Sequence, residues 1–415
     1  MTNSKARQII PILIVLFLGY LGFALVLPIF PPMFLSKTGH TIVSKAYSPE
    51  MRTTLLGLLI STYPLGQLFG GPILGRLSDV YGRKKILVFT LAVIIPFYLL
   101  SCLAIVIQDL WLLFVSRFFC GLFEGNSVIA AAAMADISES KKDKVQKFGL
   151  ILTVSSLGFI LGPLIGGKLT DSTLVPWFNY STPFWICAAL VSIALVLVLF
   201  MFQETLKPNQ HTFQLLRTVR SIFSALFRSD LRNIFLSNFF LFLSFFFFFG
   251  FFPVLLVWWY GFNATHIGEV ISYLAIPICL SPLLYSIMSR YMHPRNAMVL
   301  AAILLMCSII LLLTFNGVFA LYFSLIPVGM CIAIGWTYSS LIISDRVSQD
   351  KQGEALGTNQ SITILAEIVA ACLGGIVAGV SMYLPLLFSA GFALITAIWL
   401  LIFVPKDQDS HQEIR

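Results

Sequence analysis

The sequence predicts an all-α membrane protein with twelve transmembrane helices in two pseudo-symmetric bundles of six. Three observations lead there. Hydrophobic residues make up 58% of the 415 residues, charged residues only 11%, and mean hydropathy is +0.93, which is more apolar surface than a water-soluble domain of this length has interior to hide. Apolar windows of about 20 residues, the length that crosses a bilayer as a helix, recur twelve times. They lie near 10–33, 53–75, 85–107, 110–135, 147–169, 183–203, 233–259, 267–289, 297–315, 318–344, 355–380 and 384–404, without the alternation of a β-barrel. The third observation is the placing of the cations. An even number of spans puts both termini on one side, and 21 Lys and Arg fall there, against 4 (Lys37, Lys45, Arg52, Lys168) on the other and Arg117 inside a span. That split predicts cytoplasmic termini in a multi-pass protein of the cell (inner) membrane.

The net charge of +8 therefore reads as topology and not as nucleic-acid binding. The first span is too long for a cleaved signal and is followed directly by others. All seven cysteines fall within spans, with no metal-ligand or pairing pattern, so neither a metal, a cofactor nor a disulfide is expected.

Span one has Pro28 and Pro31 and no ionisable residue. Span two runs into Gly75-Arg76-Leu77-Ser78-Asp79-Val80-Tyr81-Gly82-Arg83-Lys84-Lys85, four cations and one acid between apolar segments, which predicts a short loop at a membrane face. Gly75 is expected to let the helix end pack closely and Gly82 to permit a tight reversal. Asp79 is expected to pair with Arg83 or with a helix terminus, a charge clamp able to open and close. Span four carries Arg117, Gly121 and Glu124 at i, i+4 and i+7, on one helix face, with Arg117 and Glu124 roughly 10 Å apart along the axis. Span five holds Gly158, Gly162, Pro163, Gly166 and Gly167, and span six ends in Gln203-Glu204-Thr205-Leu206.

The longest polar interruption, 204–232, divides the chain into an N-terminal bundle (1–203) and a C-terminal bundle (233–415). Within it Leu215, Leu216, Val219, Ile222, Phe223, Leu226 and Phe227 recur at helical spacing, which predicts an amphipathic linker helix on the membrane surface; a regulatory partner site is the alternative. A weak repeat supports the division: Asp136-Ile-Ser-Glu-Ser-Lys141 is similar to Asp345-Arg-Val-Ser-Gln-Asp-Lys351. Span seven is unusually aromatic (Phe245–Phe249, Phe251, Phe252, Trp258, Trp259), expected mostly as lipid-facing filler and interfacial anchor, with a minority of rings lining a cavity. Two sequons, at Asn179 and Asn263, fall on the outer side and are treated as chance.

The pattern G-x-L-x-D-x-x-G-R-K-K resembles the signature loop between helices two and three of the major facilitator superfamily of transporters. Arg117-Phe-Phe-Cys120-Gly121 resembles the R-x-x-x-G pattern of its proton antiporters, with Cys120 where Gln is usual. Gly158 to Gly167 is similar to the G-x-x-x-G-P-x-x-G-G motif associated with antiporters, and the end of span six to that of drug:proton antiporters of the tetracycline-efflux type. The resemblance implies a major facilitator fold, alternating access, and a site near the midplane between parallel halves. Two departures stand out. Antiporters of this type commonly carry an Asp in span one, where this chain has Gly19, and the second-half counterpart of the signature loop, Ser289 to Arg295, is degenerate.

Ionisable side chains at bilayer depth cost roughly 2.5–3.5 kcal/mol each on insertion scales, so Glu124 in span four and Glu367 in span eleven need explaining. One reading is structural, carboxyls hydrogen-bonded between helices. The other is proton or cation carriage, and of the two acids Glu124 is the stronger candidate for coupling. Arg117 is expected to stabilise the span-four and span-five region more than to touch substrate, and Glu269, near a span end, to be solvated. Polar candidates for a substrate cavity are Gln67, Asn126, Asn238, Trp336, Tyr338, Asn359 and Gln360.

The expected function is secondary transport of a small organic compound, as proton-coupled efflux by a monomer. Uptake or facilitated movement of a metabolite or siderophore is the alternative, given the missing span-one acid. The absence of G-x-x-x-x-G-K-[ST] disfavours ATP-driven transport, and the five scattered histidines disfavour an enzyme.

Overall fold

The computed structural model describes residues 3–36, 41–44, 46–206, 231–315, 317–348 and 352–405. Most of the predicted linker and its amphipathic helix, 207–230, lies outside the described residues.

The described residues form fifteen helices and no strands. In the first half these are α1 (Asn3–Leu25), α2 (Phe30–Leu35), α3 (Pro49–Tyr81), α4 (Arg83–Val106), α5 (Leu110–Phe123), α6 (Asn126–Asp136), α7 (Lys141–Lys168) and α8 (Thr182–Met201). The second half has α9 (Arg232–Tyr260), α10 (Ala264–Cys279), α11 (Ser281–Tyr291), α12 (Pro294–Thr314), α13 (Val318–Ser344), α14 (Gln352–Val380) and α15 (Leu384–Phe403). Three predicted spans are broken in two: span one as α1 and α2, span four as α5 and α6, and span eight as α10 and α11. Ten elements are long and apolar enough to cross a membrane. The remaining two spans are the broken α10–α11 and α3, whose buried face mixes four Gly and several hydroxyl residues with leucines.

Helix starts follow capping chemistry. Ser48, Asp109, Ser140 and Asn263 each accept a backbone N–H in the first turn of α3, α5, α7 and α10. Both sequon asparagines are occupied this way: Asn263 accepts from His266, and Asn179 accepts from the backbone and hydroxyl of Ser181.

Two large buried clusters form most of the interior, one drawn from residues 9–202 with Phe251, Val254 and Ala378 added, the other from 231–404, and a small third joins Leu68 to Ile364. Span seven corrects the expectation of lipid-facing filler. Phe245, Phe247, Phe248, Phe251 and Phe252 are at most 1% exposed, and α9 is the most buried of the ten apolar elements. It is packed against α14 and α15 and touched by α2 of the other half. Phe247 stacks on Phe388 and meets Phe392 of α15 at a tilt, and Ser389 donates to the Ser244 carbonyl. Trp258 alone of this run is strongly exposed.

The two halves meet along α3–α14 and α7–α10. At the face remote from the termini the backbones touch. A Cβ on Gly57 would run into the Ala371 carbonyl and lie 2.7 Å from Gly375 Cα, and one on Gly379 would lie 3.0 Å from Glu50 Cα. On the neighbouring seam, Thr265 of α10 donates to the Gly167 carbonyl at 3.2 Å and to Asp171 at 3.4 Å, and Ser272 donates to the Ile160 carbonyl at 2.7 Å. Nearer the termini, Gly149 of α7 and Gly353 and Gly357 of α14 have nothing within 4 Å of where a Cβ would stand. The described contacts between the halves thus gather toward the face remote from the termini.

Candidate functional site: a central cavity and a charge cluster

Between the halves, α1, α2, α3, α5, α9 and α14 line a partly open cavity. Its walls are apolar and aromatic (Phe23, Leu27, Phe30, Tyr63, Phe249), with Pro31 and Pro64, and two charged residues, Arg117 and Glu367, open onto it.

Arg117 is 3% exposed and sits in a box of rings. Its guanidinium carbon lies 4.8 Å from the centroid of Tyr63, 5.8 Å from Phe30 and 5.9 Å from Phe184, within cation–π range of all three. These rings come from α3, α2 and α8, so Arg117 braces those helices and not span five as expected. Its Nε and Nη1 are buried without a hydrogen-bond partner among the described residues. Tyr63 lies in electrostatic reach of Arg117, Glu124 and Glu367, so the intramembrane charges converge on this ring.

Glu124 is 5% exposed and stands at the break between α5 and α6. The straight-helix spacing from Arg117 therefore ends at Phe123. Irregular backbone at bilayer depth is tolerated where protein encloses it or a cavity adjoins it. The span-one departure has a spatial counterpart: a Cβ on Gly19 would lie 3.0 Å from Glu124 Oε1. The span-four carboxyl thus occupies the space that a span-one side chain would otherwise enter.

The other proposed cavity residues are placed elsewhere. Asn238 donates to Asn359 Oδ1 at 2.8 Å, a buried bridge between α9 and α14. Trp336, 43% exposed, stacks on Phe245. Tyr338 is buried against Tyr285, Asn126 is buried beside the α5–α6 break, Gln67 is half-buried, and Gln360 is exposed. None of these seven lines the cavity described above. Glu269 is exposed, as expected for a span end.

The signature block differs from a loop. α3 continues to Tyr81 and α4 begins at Arg83, leaving Gly82 alone between them at φ +100°, a conformation that strains any other L-residue. Gly75 is not a close-packing position, since a Cβ there would meet only Val128 at an ordinary 3.5 Å. Arg83 is 7% exposed and fully engaged. It pairs with Asp79 at 2.6 Å and with Asp136 at 3.1 Å, and donates to Ser78 Oγ at 2.6 Å. Glu204 accepts the backbone N–H groups of Arg83 and Lys84 at 2.8 and 3.1 Å, an anion at the N-terminus of α4. Lys84 donates to the Leu199 carbonyl. The sequence singled out Asp136 only as part of a repeat and Glu204 only as a span ending; their convergence on one Arg has no local signal. None of these partners belongs to the second half, so among the described residues the clamp does not bridge the halves. In the second half Arg295 is equally buried and donates to the Leu400 and Leu401 carbonyls.

The span-five motif forms a seam on both sides. Gly158, Gly162 and Gly166 face α1 backbone between Phe17 and Leu25, while Gly167 and Pro163 face Ala264 and Gly268 of α10. Close backbone approach of this kind needs residues without side chains.

Residues 12–259 and 234–415 match the Major Facilitator Superfamily. The chain is 26% identical over 401 residues to the class H tetracycline resistance protein of Pasteurella multocida, covering 95% of this chain and 91% of that one. It is 22% identical over 418 residues to multidrug resistance protein 2 of Bacillus subtilis (strain 168), covering 98% of each. Among solved structures, the human organic anion transporter MFSD10 (TETRAN) superposes with a TM-score of 0.68 at 20% identity, over 96% of this chain and 100% of that one, which shows a shared fold. These relatives favour efflux over the uptake alternative. The chain belongs to the Major Facilitator Superfamily, as a multi-pass secondary active efflux transporter and not an enzyme.

Proposed function

We propose that this protein exports a drug-like organic compound from the cytoplasm in exchange for protons, with Glu124 as the coupling carboxyl. The observation that carries the assignment is the contact between Glu124 and Gly19: the acid stands beside span one, next to the cavity but screened from it, where a change of conformation can alter its access to water. Glu367, on the cavity wall, touches cargo. The tetracycline and multidrug resistance relatives support a hydrophobic organic cargo. In this reading residues 1–203 and 233–415 are two rocking bundles joined by 204–232, both termini face the cytoplasm of the inner membrane, and the monomer is the working unit. The present conformer is then inward-open, and the Asp79–Arg83 pair belongs to a gate that meets the second half when the termini face closes.

The test is accumulation in everted vesicles under an imposed pH gradient. Glu124→Gln should abolish gradient-driven export while leaving substrate exchange, and Glu367→Gln should weaken both less. Unchanged gradient-driven export in Glu124→Gln overturns the assignment, and loss confined to Glu367→Gln moves coupling to α14.

A further inference from the structure

Three arginines among the described residues are buried to a similar degree, and two of them have hydrogen-bond acceptors. Arg83 is engaged by two carboxylates and a hydroxyl, and Arg295 by two carbonyl oxygens. Arg117, the most buried of the three, has no hydrogen bond or ion pair with a described residue. It forms part of the cavity wall, and three ring faces are its closest described partners, with Glu124 in electrostatic reach but not bonded to it. Rings answer the positive charge of a guanidinium but leave its in-plane N–H donors unsatisfied. A purely structural arginine at this depth would be expected to have found acceptors, because an unmet charged donor is costly to bury. Glu124 and Glu367 act on the same Tyr63 ring without either forming an ion pair with Arg117.

We infer that Arg117 is an anion subsite, and that the cargo is an aromatic organic compound bearing a single carboxylate-like group. This rests on the export reading above. The anionic oxygens dock on the forked donors of the guanidinium, for which a planar carboxylate is the geometric match. The apolar body lies against Phe30, Tyr63 and Phe249. Glu367, on the same wall, repels a second anionic group and so limits the cargo to one. At Gly250 a Cβ would meet nothing within 4 Å, which leaves room on the α9 side for the body of the ligand.

The experiment uses three probes of one size and different charge: naphthalene-2-carboxylate, naphthalene-2-carboxamide and 2-naphthylmethylammonium. Binding to the purified full-length protein is read as ligand protection against thermal unfolding, with no gradient present. The carboxylate should protect the wild type at concentrations at least about tenfold lower than the amide or the ammonium, the discrimination expected of a charged hydrogen bond. Arg117→Gln should erase that preference, and Arg117→Lys should retain part of it. Gly250→Leu, which fills the cavity without touching the charge, should weaken the carboxylate and keep the fold. Equal protection by the three probes, preference for the amide or the ammonium, or protection by none overturns the inference without reference to any variant. Everted-vesicle transport separates the two readings. Selective binding of the carboxylate without gradient-driven export leaves the subsite standing and defeats the export reading. Gradient-driven export of the ammonium alone does the reverse.

Discussion

One added methyl at Gly57 should open the face remote from the termini. In the structure that face is sealed where α3 meets α14, and a Cβ on Gly57 would collide with the Ala371 carbonyl and stand 2.7 Å and 2.9 Å from the Cα and N of Gly375. These are backbone atoms in the middle of a long helix, so they yield only by moving the helices apart. Overpacking of this kind costs about 1–3 kcal/mol. The cost falls on the sealed conformer alone, because the contact does not exist once the halves separate there. A differential of that size shifts a two-state population by about 5–150-fold. A suitable reporter is Leu27→Cys in a background freed of the seven native cysteines, since Leu27 lines the central cavity. An impermeant maleimide supplied from the far side should label it slowly in the parent and at least about fivefold faster with Gly57→Ala, the lower end of that range. Gly149→Ala is the control: nothing lies within 4 Å of its Cβ position, and Ala favours a helix interior over Gly, so labelling should not change. Equal labelling rates in Gly57→Ala and the parent would refute the claim that this backbone contact holds the far face shut.

Asp79→Asn should leave folding intact but slow transport severalfold, because the Asp79 carboxylate is more than half exposed while Arg83 keeps Asp136 and Ser78. Arg83→Ala should lower thermal stability more, since it removes the buried side chain on which Asp79, Asp136 and Ser78 converge; the reverse order in a melting assay would contradict the assigned roles. Single cysteines at Ser140, Ser221 and Asn263 should show only Asn263 reacting with an impermeant thiol reagent from outside, and outside labelling of Ser221 would invert the topology. At the far face the hydroxyl and backbone N–H of Thr173 hold the Asp171 carboxyl below its ordinary value, with Thr265 adding to the effect. Its contribution is thus fully present above the usual carboxylate pKa and is lost only as pH falls through the lowered one. The Thr265–Asp171 contact should therefore persist at pH 5 in a cross-seam disulfide assay and weaken only in stronger acid, with Asp171→Asn removing the acid dependence.

The sequence by itself determined the helical class, the multi-pass character and the family, because each rests on local constraints. A bilayer fixes how many consecutive apolar residues a span needs, and its dry interior forces those residues into helices. The signature block was legible for the same reason, since its glycines and charges act within one short stretch. Hydropathy could not say which apolar face meets lipid and which meets protein. To a phenylalanine the two are chemically alike, and so most of the span-seven phenylalanines, read as lipid filler, lie in the core of the second half, with Phe251 in that of the first. Tertiary structure also decided which charges meet. Asp136 lies 53 residues from Arg83 and Glu204 lies 121, yet both close on it. Gly19 meets Glu124 only because α1 passes the break between α5 and α6. The ring box around Arg117 is drawn from three helices distant in sequence, and only their packing reveals that its donors are left without acceptors.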